Sequence, residues 1–80
     1  MEEIRLPGLV CPMPVLRAKK AIAKIAFGEK LAVWSTDPHS LPDLAEFCRQ
    51  TGHHLLEQSE SEDEDGHWFV SVIERREPQN

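Results

Sequence analysis

The sequence predicts an α+β fold: a two-layer α/β sandwich of order β-α-β-α-β-β, with two helices on one face of a mixed four-stranded sheet. Three observations lead there. Two stretches carry apolar residues at helical spacing, and four shorter ones are β-rich. A turn or stop signal separates each from the next: Pro7-Gly8, Gly28, Asp37-Pro38, Gly52 and Asp65-Gly66. Finally, two parallel strands joined by a single crossover helix place that helix on one face of the sheet.

Taken in order, "EEIRL" reads as the first strand, ended by Pro7-Gly8. The first helix runs from Pro12 or Pro14 to Ile25. At about 100° per residue, Pro14, Val15, Ala18, Ala21, Ile22 and Ile25 share an arc of about 120°. Arg17, Lys20 and Lys24 lie opposite, joined by Met13, and Gly28 is the expected C-terminal stop. "KLAVWST" is the second strand. Ser40 and Asp43 resemble a capping box with Asp in place of Glu, opening a helix that runs to about Thr51 with Gly52 as its stop. "HHLLEQSE" and "HWFVSVIE" form a hairpin around an acidic loop, 60–66, whose Asp65-Gly66 is a favoured turn pair. Trp34, Trp68 or Phe69 is expected on the uncovered sheet face, the choice depending on register. Eighty residues make one domain, 1–75, with a frayed tail at 76–80.

Composition narrows the functions available. A net charge of −5 argues against general nucleic-acid binding, which needs a basic surface. No apolar run approaches the roughly 20 residues of a membrane span. The start, "MEEIRL", is acidic and strand-like, unlike a signal peptide, so the expected location is cytoplasmic. There the two cysteines are not expected to hold a lasting disulfide.

The chemistry concentrates in "GLVCPMPVL", residues 8–16. Prolines at 12 and 14 stiffen a helix entrance around Cys11. With Cys11 as N-cap, Pro12 occupies N1 and Pro14 N3, where neither missing N–H costs an intrahelical bond. Since a residue before proline avoids the α region, Met13 is the other candidate cap. Either way the sulfur lies near a positive helix end and the cations that follow, which favours thiolate. The effect is small, because the prolines also remove amide donors. The sequence around Cys11 shows no general base and no CxxC pair. A cysteine presented in this way is suited to carry a group, and the group a thiolate most readily carries between proteins is sulfur.

"GLVCPMPVLRAKKAI…GEKLAVWSTDP…DLAEFCRQTGHHLLE" resembles the TusA/SirA-like family of sulfur carriers, whose signature is G-L-x-C-P-x-P at the first helix. The resemblance spans about residues 8–73. It implies a fold like the C-terminal domain of translation initiation factor three. It also implies that Cys11 accepts a persulfide sulfur from a cysteine desulfurase or rhodanese and relays it to an acceptor protein, serving tRNA thiolation, molybdenum-cofactor synthesis or sulfur metabolism. Gly8 and Leu9 would then shape the approach to the sulfur, and Pro12, Met13 and Pro14 its setting. Arg17, Lys19 and Lys20 would favour an anionic persulfide or partner. No cofactor, metal, membrane or direct nucleic-acid partner is implied. Two positions depart from the family pattern: Arg5 stands where an acid commonly precedes Gly8-Leu9, and Met13 where the tRNA-thiolation carrier has glutamate.

Other readings stay open at this stage. Cys11 could be structural in a binding or regulatory module that docks through the basic face of the first helix. Cys11 and Cys48 could form a redox pair, although Leu41, Leu44, Ala45 and Cys48 make a core stripe. The acidic stretch lacks calcium-loop spacing, and His53 and His54 point to opposite sheet faces, which disfavours a shared metal.

Overall fold

The computed structural model describes residues 1–78. It runs β1 (Glu2–Leu6), α1 (Met13–Ile22), β2 (Lys30–Ser35), α2 (Ser40–Thr51), β3 (His54–Asp63) and β4 (Gly66–Glu74). The sheet order is β1-β2-β4-β3, with β1 parallel to β2 and the other pairs antiparallel, so the mixed sheet expected from the sequence is present. Parallel β1 and β2 end on the same side of the molecule. The turn after β1 and the connection after β2 therefore meet, and the cysteine motif lies in the first of them.

Alternation along the strands sorts the side chains between the two faces. Ile4, Leu6, Leu31, Val33 and Ile73 face the helices and pack with Ala18, Ile22, Ile25, Leu44, Phe47 and Cys48. Phe69 pairs with Ser35 and so lies on the helix side, whereas Trp34 and Trp68 share the uncovered face. There the Arg5 guanidinium lies 4.1 Å from the Trp34 ring centroid and 5.3 Å from that of Trp68, a cation–π arrangement. Its Nη1 donates to Asp63 Oδ2 at 2.8 Å, so β1 and β3, at opposite edges of the sheet, are linked across its open face.

Several boundaries differ from the sequence expectation. Helix α1 stops at Ile22, not Ile25, and Gly28 lies beyond it. The Lys24 N–H turns back to the Ala21 carbonyl at 3.0 Å, while the Arg75 guanidinium takes the carbonyls of Ala23 and Ile25. The chain thus leaves the helix while still burying Ile25. Helix α2 has His39, not Ser40, at its N-cap, with no side-chain cap. Ser40 is instead buried, and its hydroxyl has no partner among the described residues. The helix ends as expected at Gly52, whose φ of 82° suits a residue without Cβ and whose N–H caps the Cys48 carbonyl. Strand β3 continues through most of the acidic stretch, so the connection to β4 is only Glu64-Asp65 and not a loop over 60–66. A register shift between Leu55 and Glu57 leaves Leu56 exposed. The Arg75 N–H donates to the Glu29 carbonyl and the Arg76 N–H to the His53 ring Nδ1, and the last two residues of the expected tail lie outside the described residues.

Candidate functional site

After Leu6 the chain turns at Pro7-Gly8, with Gly8 at φ 74°, a conformation that favours glycine. The Gly8 N–H donates to Thr36 Oγ1 at 2.9 Å, and three residues later the Cys11 N–H donates to Asp37 Oδ2 at 3.0 Å. Both anchors belong to the connection after β2. Between them Leu9 packs against the core and Val10 stays exposed. The Met13 N–H closes the turn onto the Val10 carbonyl at 2.9 Å, and Pro14, in the first turn of α1, is buried. The Cys11–Pro12 peptide is cis. The turn is thus pinned at both ends, with the cysteine on its outer side, and Cys11 is exposed.

Neither expected N-cap holds that position. Pro12 does, with Met13 at N1 and Pro14 at N2, so Cys11 lies one residue outside the helix. Instead of positive amide ends, the groups acting on the sulfur are carboxylates. Its thiol is pushed up from the ordinary value, first by a hydrogen bond to Asp43, then by desolvation and the charges of Asp43 and Asp37. The cations of α1 do not figure among the groups acting on it. The expected preference for thiolate is therefore reversed.

Asp37 is 8% exposed and acts as the hub of the site. Its Oδ1 accepts the His39 N–H and ring Nδ1–H, each at 3.0 Å, while Oδ2 holds Cys11. These donors, the His39 amide first and the Cys11 amide second, keep its carboxyl below the usual range despite burial. Ser35 Oγ accepts the Asp37 N–H at 3.0 Å. The Asp43 N–H in turn bonds the His39 carbonyl at 3.1 Å, which fixes the first turn of α2 beside the cysteine turn.

The expected basic residues do not form one patch. Arg17 and Lys20, with Lys24, rim a groove of about 540 Å³ between α1 and β1, floored by Ile4, Leu6, Ala21 and Leu31. Lys19 lies on the other flank of α1, beside Phe27, Phe47 and Arg75. Among the described residues no three His, Cys, Asp or Glu side chains gather as a metal site. Cys48 is 4% exposed inside the core, and desolvation pushes its thiol up to about 11, which counts against a redox partnership with Cys11. No described helix is long and apolar enough to cross a membrane.

Sequence reasoning missed the roles of Asp37 and Asp43 here. The available signal was topological: in parallel strands, residues just past the C-terminal ends converge, so Asp37-Pro38 had to lie near the Gly8–Cys11 turn.

Comparison with known proteins agrees with this arrangement. The family described as Sulfurtransferase TusA matches residues 2–75. A protein of Allochromatium vinosum named sulfur carrier protein TusA is 44% identical over 59 residues, covering 74% of this chain and 78% of its own. One of the same name from Pseudomonas putida is 42% identical over 53 residues, 66% of each chain. The solved structure of a SirA-like protein from Desulfitobacterium hafniense matches with a TM-score of 0.69 and 27% identity, covering 95% of this chain and 100% of that one. With the match extending over nearly every residue from β1 to the end of β4, this chain belongs to the TusA sulfurtransferase family.

Proposed function

We propose that this protein carries sulfur as a persulfide on Cys11. The observation that supports the reading best is the exposed Cys11, held on a turn anchored at Gly8 and at its own amide, in a chain of this family. In loading, the Cys11 S–H gives up its proton and the sulfur attacks the outer sulfur of a donor persulfide. One S–S bond forms and the donor's S–S bond breaks. The donor leaves as a thiolate that takes up a proton, and Cys11–S–SH results with no net oxidation. Delivery to an acceptor thiol repeats the exchange outward. A cysteine desulfurase or rhodanese fits the donor role. The acceptor serves tRNA thiolation, molybdenum-cofactor synthesis or another route of sulfur metabolism, and the cytoplasm is the compartment that goes with these.

Gly8 and Leu9 set the height of the turn, Pro12, Met13 and Pro14 its stiffness, and exposed Val10 and Leu16 give a partner apolar contact beside the sulfur. Arg17 and Lys20 steer acidic partners, and Lys19 extends the positive field on the other side of α1. The test is an intact-mass measurement after incubation with a cysteine desulfurase and cysteine. Wild type and Cys48→Ser gain one sulfur atom, and Cys11→Ser gains none. Equal gain by Cys11→Ser, or no gain by wild type, would overturn the proposal.

A further inference from the structure

The sheet has two edges, β1 and β3, and they are not alike. Strand β3 carries the usual protections against pairing: a register shift at Leu55/Glu57 interrupts it, and acids stand along it at Glu57, Glu60 and Glu62. Strand β1 pairs with β2 without interruption from Glu2 to Leu6. Its Glu3 and Arg5 side chains turn to the uncovered face, where Arg5 Nε donates to Glu3 Oε2 at 3.1 Å and the guanidinium lies over Trp34. On its other face β1 borders the groove of about 540 Å³ beside α1, in which Ile4 and Ala21 are only partly buried.

This edge also has a direction. Strand β1 runs into Pro7-Gly8 and the cysteine turn, and α1 returns from that turn alongside it. Arg17 and Lys20 therefore rim the part of the groove nearer Cys11, while Glu2, Lys24 and Glu29 lie toward the remote end. Resting on the sulfur-carrier reading, we infer that β1 accepts an extended segment of a sulfur-transfer partner as a fifth strand, acidic at alternate positions and flanking the partner's reactive cysteine. The outward backbone groups of β1 supply the pairing. Arg17 and Lys20 are about 4.5 Å apart along the helix axis. Same-face side chains of a strand recur about every 7 Å, a difference that long side chains absorb. Carboxylates at alternate positions thus meet both cations, with their methylene stems over Ile4 and Leu6. Antiparallel addition, the more stable kind, puts the N-terminal end of the segment beside the cysteine turn.

The test uses a probe peptide, acetyl-Cys-Gly-Gly-Glu-Val-Glu-Val-Glu-amide, with its thiol activated as the thiopyridyl disulfide. The Cys11 thiolate attacks the peptide sulfur. One S–S bond forms, one breaks, and pyridinethione leaves with the bonding pair and takes up a proton, its release being followed by absorbance. Rates are taken with wild type at low salt and one pH, relative to dithiodipyridine. The Glu peptide should react roughly tenfold or more faster than its Lys counterpart. A net charge of −5 on the chain favours the opposite order, so the preference reports the groove. N-methylation of the Val amides and of the Glu amides, in separate peptides, should remove the advantage in one and keep it in the other, because alternate amides of a strand face opposite sides. Arg17→Glu with Lys20→Glu, folding checked by circular dichroism, should abolish or reverse the preference. Equal rates for the two charges, loss by neither or both methylated peptides, or a preference that survives the double substitution would overturn the proposal. So would a wild type that sediments as a dimer and becomes monomeric on that substitution, since a second copy would then own the edge. If the peptide preferences hold but the chain never gains sulfur from a desulfurase, the carrier reading fails instead.

Discussion

The two cysteines are both held as thiols, but by different physics. Cys48 is kept neutral by the apolar residues packed around it, and nothing short of opening the core changes that. Cys11 stands in solvent, and its thiol is pushed up first by Asp43, a neighbour whose charge salt or substitution can remove. Burial makes a sulfur inert permanently, whereas a neighbouring charge does so conditionally. A group that must be reacted with and then released needs the second kind of control.

The largest expected effect that would break this contrast is in native alkylation. Cys11 should be labelled directly and Cys48 only through opening of the core, slower by roughly a thousandfold or more, with the difference erased in urea. Comparable native rates would remove the distinction. Next is Leu44→Ala, which empties a fully buried position beside Cys48. It should cost about 2–5 kcal/mol in urea unfolding and speed Cys48 labelling. The pH midpoint of Cys11 should stay where it is, and a change there would mean the two environments are coupled.

The smallest effect concerns Asp37. Its folded pKa lies below its unfolded one, so its contribution to stability is present above about pH 4 and is lost as pH falls through the folded value. Asp37→Asn should therefore lower the urea midpoint at pH 7, with the gap from wild type closing in acid. A gap that persists unchanged to pH 2 would show that the charge of Asp37 does not hold the turn.

What was legible in the sequence was local. The period of α2 and its Gly52 stop, the β-rich runs of β2 and β4, and the proline-flanked cysteine were readable because neighbours in sequence determine them. The end of α1 was not, since Arg75, about fifty residues away, takes the carbonyls on which a longer helix would depend. Ser40 has the residue type of a cap, but packing carries it into the interior. The setting of Cys11 is hidden from the sequence for the same reason. Helix-end chemistry is visible at short range, while Asp37 and Asp43 arrive from 26 and 32 positions downstream, and they decide the charge around the sulfur.

The stacked Arg5 on the uncovered face of the sheet gives the protein a built-in optical gauge. The chain has two tryptophans and no tyrosine, and both indoles lie beneath that one guanidinium. Ultraviolet emission therefore comes almost wholly from this layer. Loosening of the outer strands should therefore dim or move the signal.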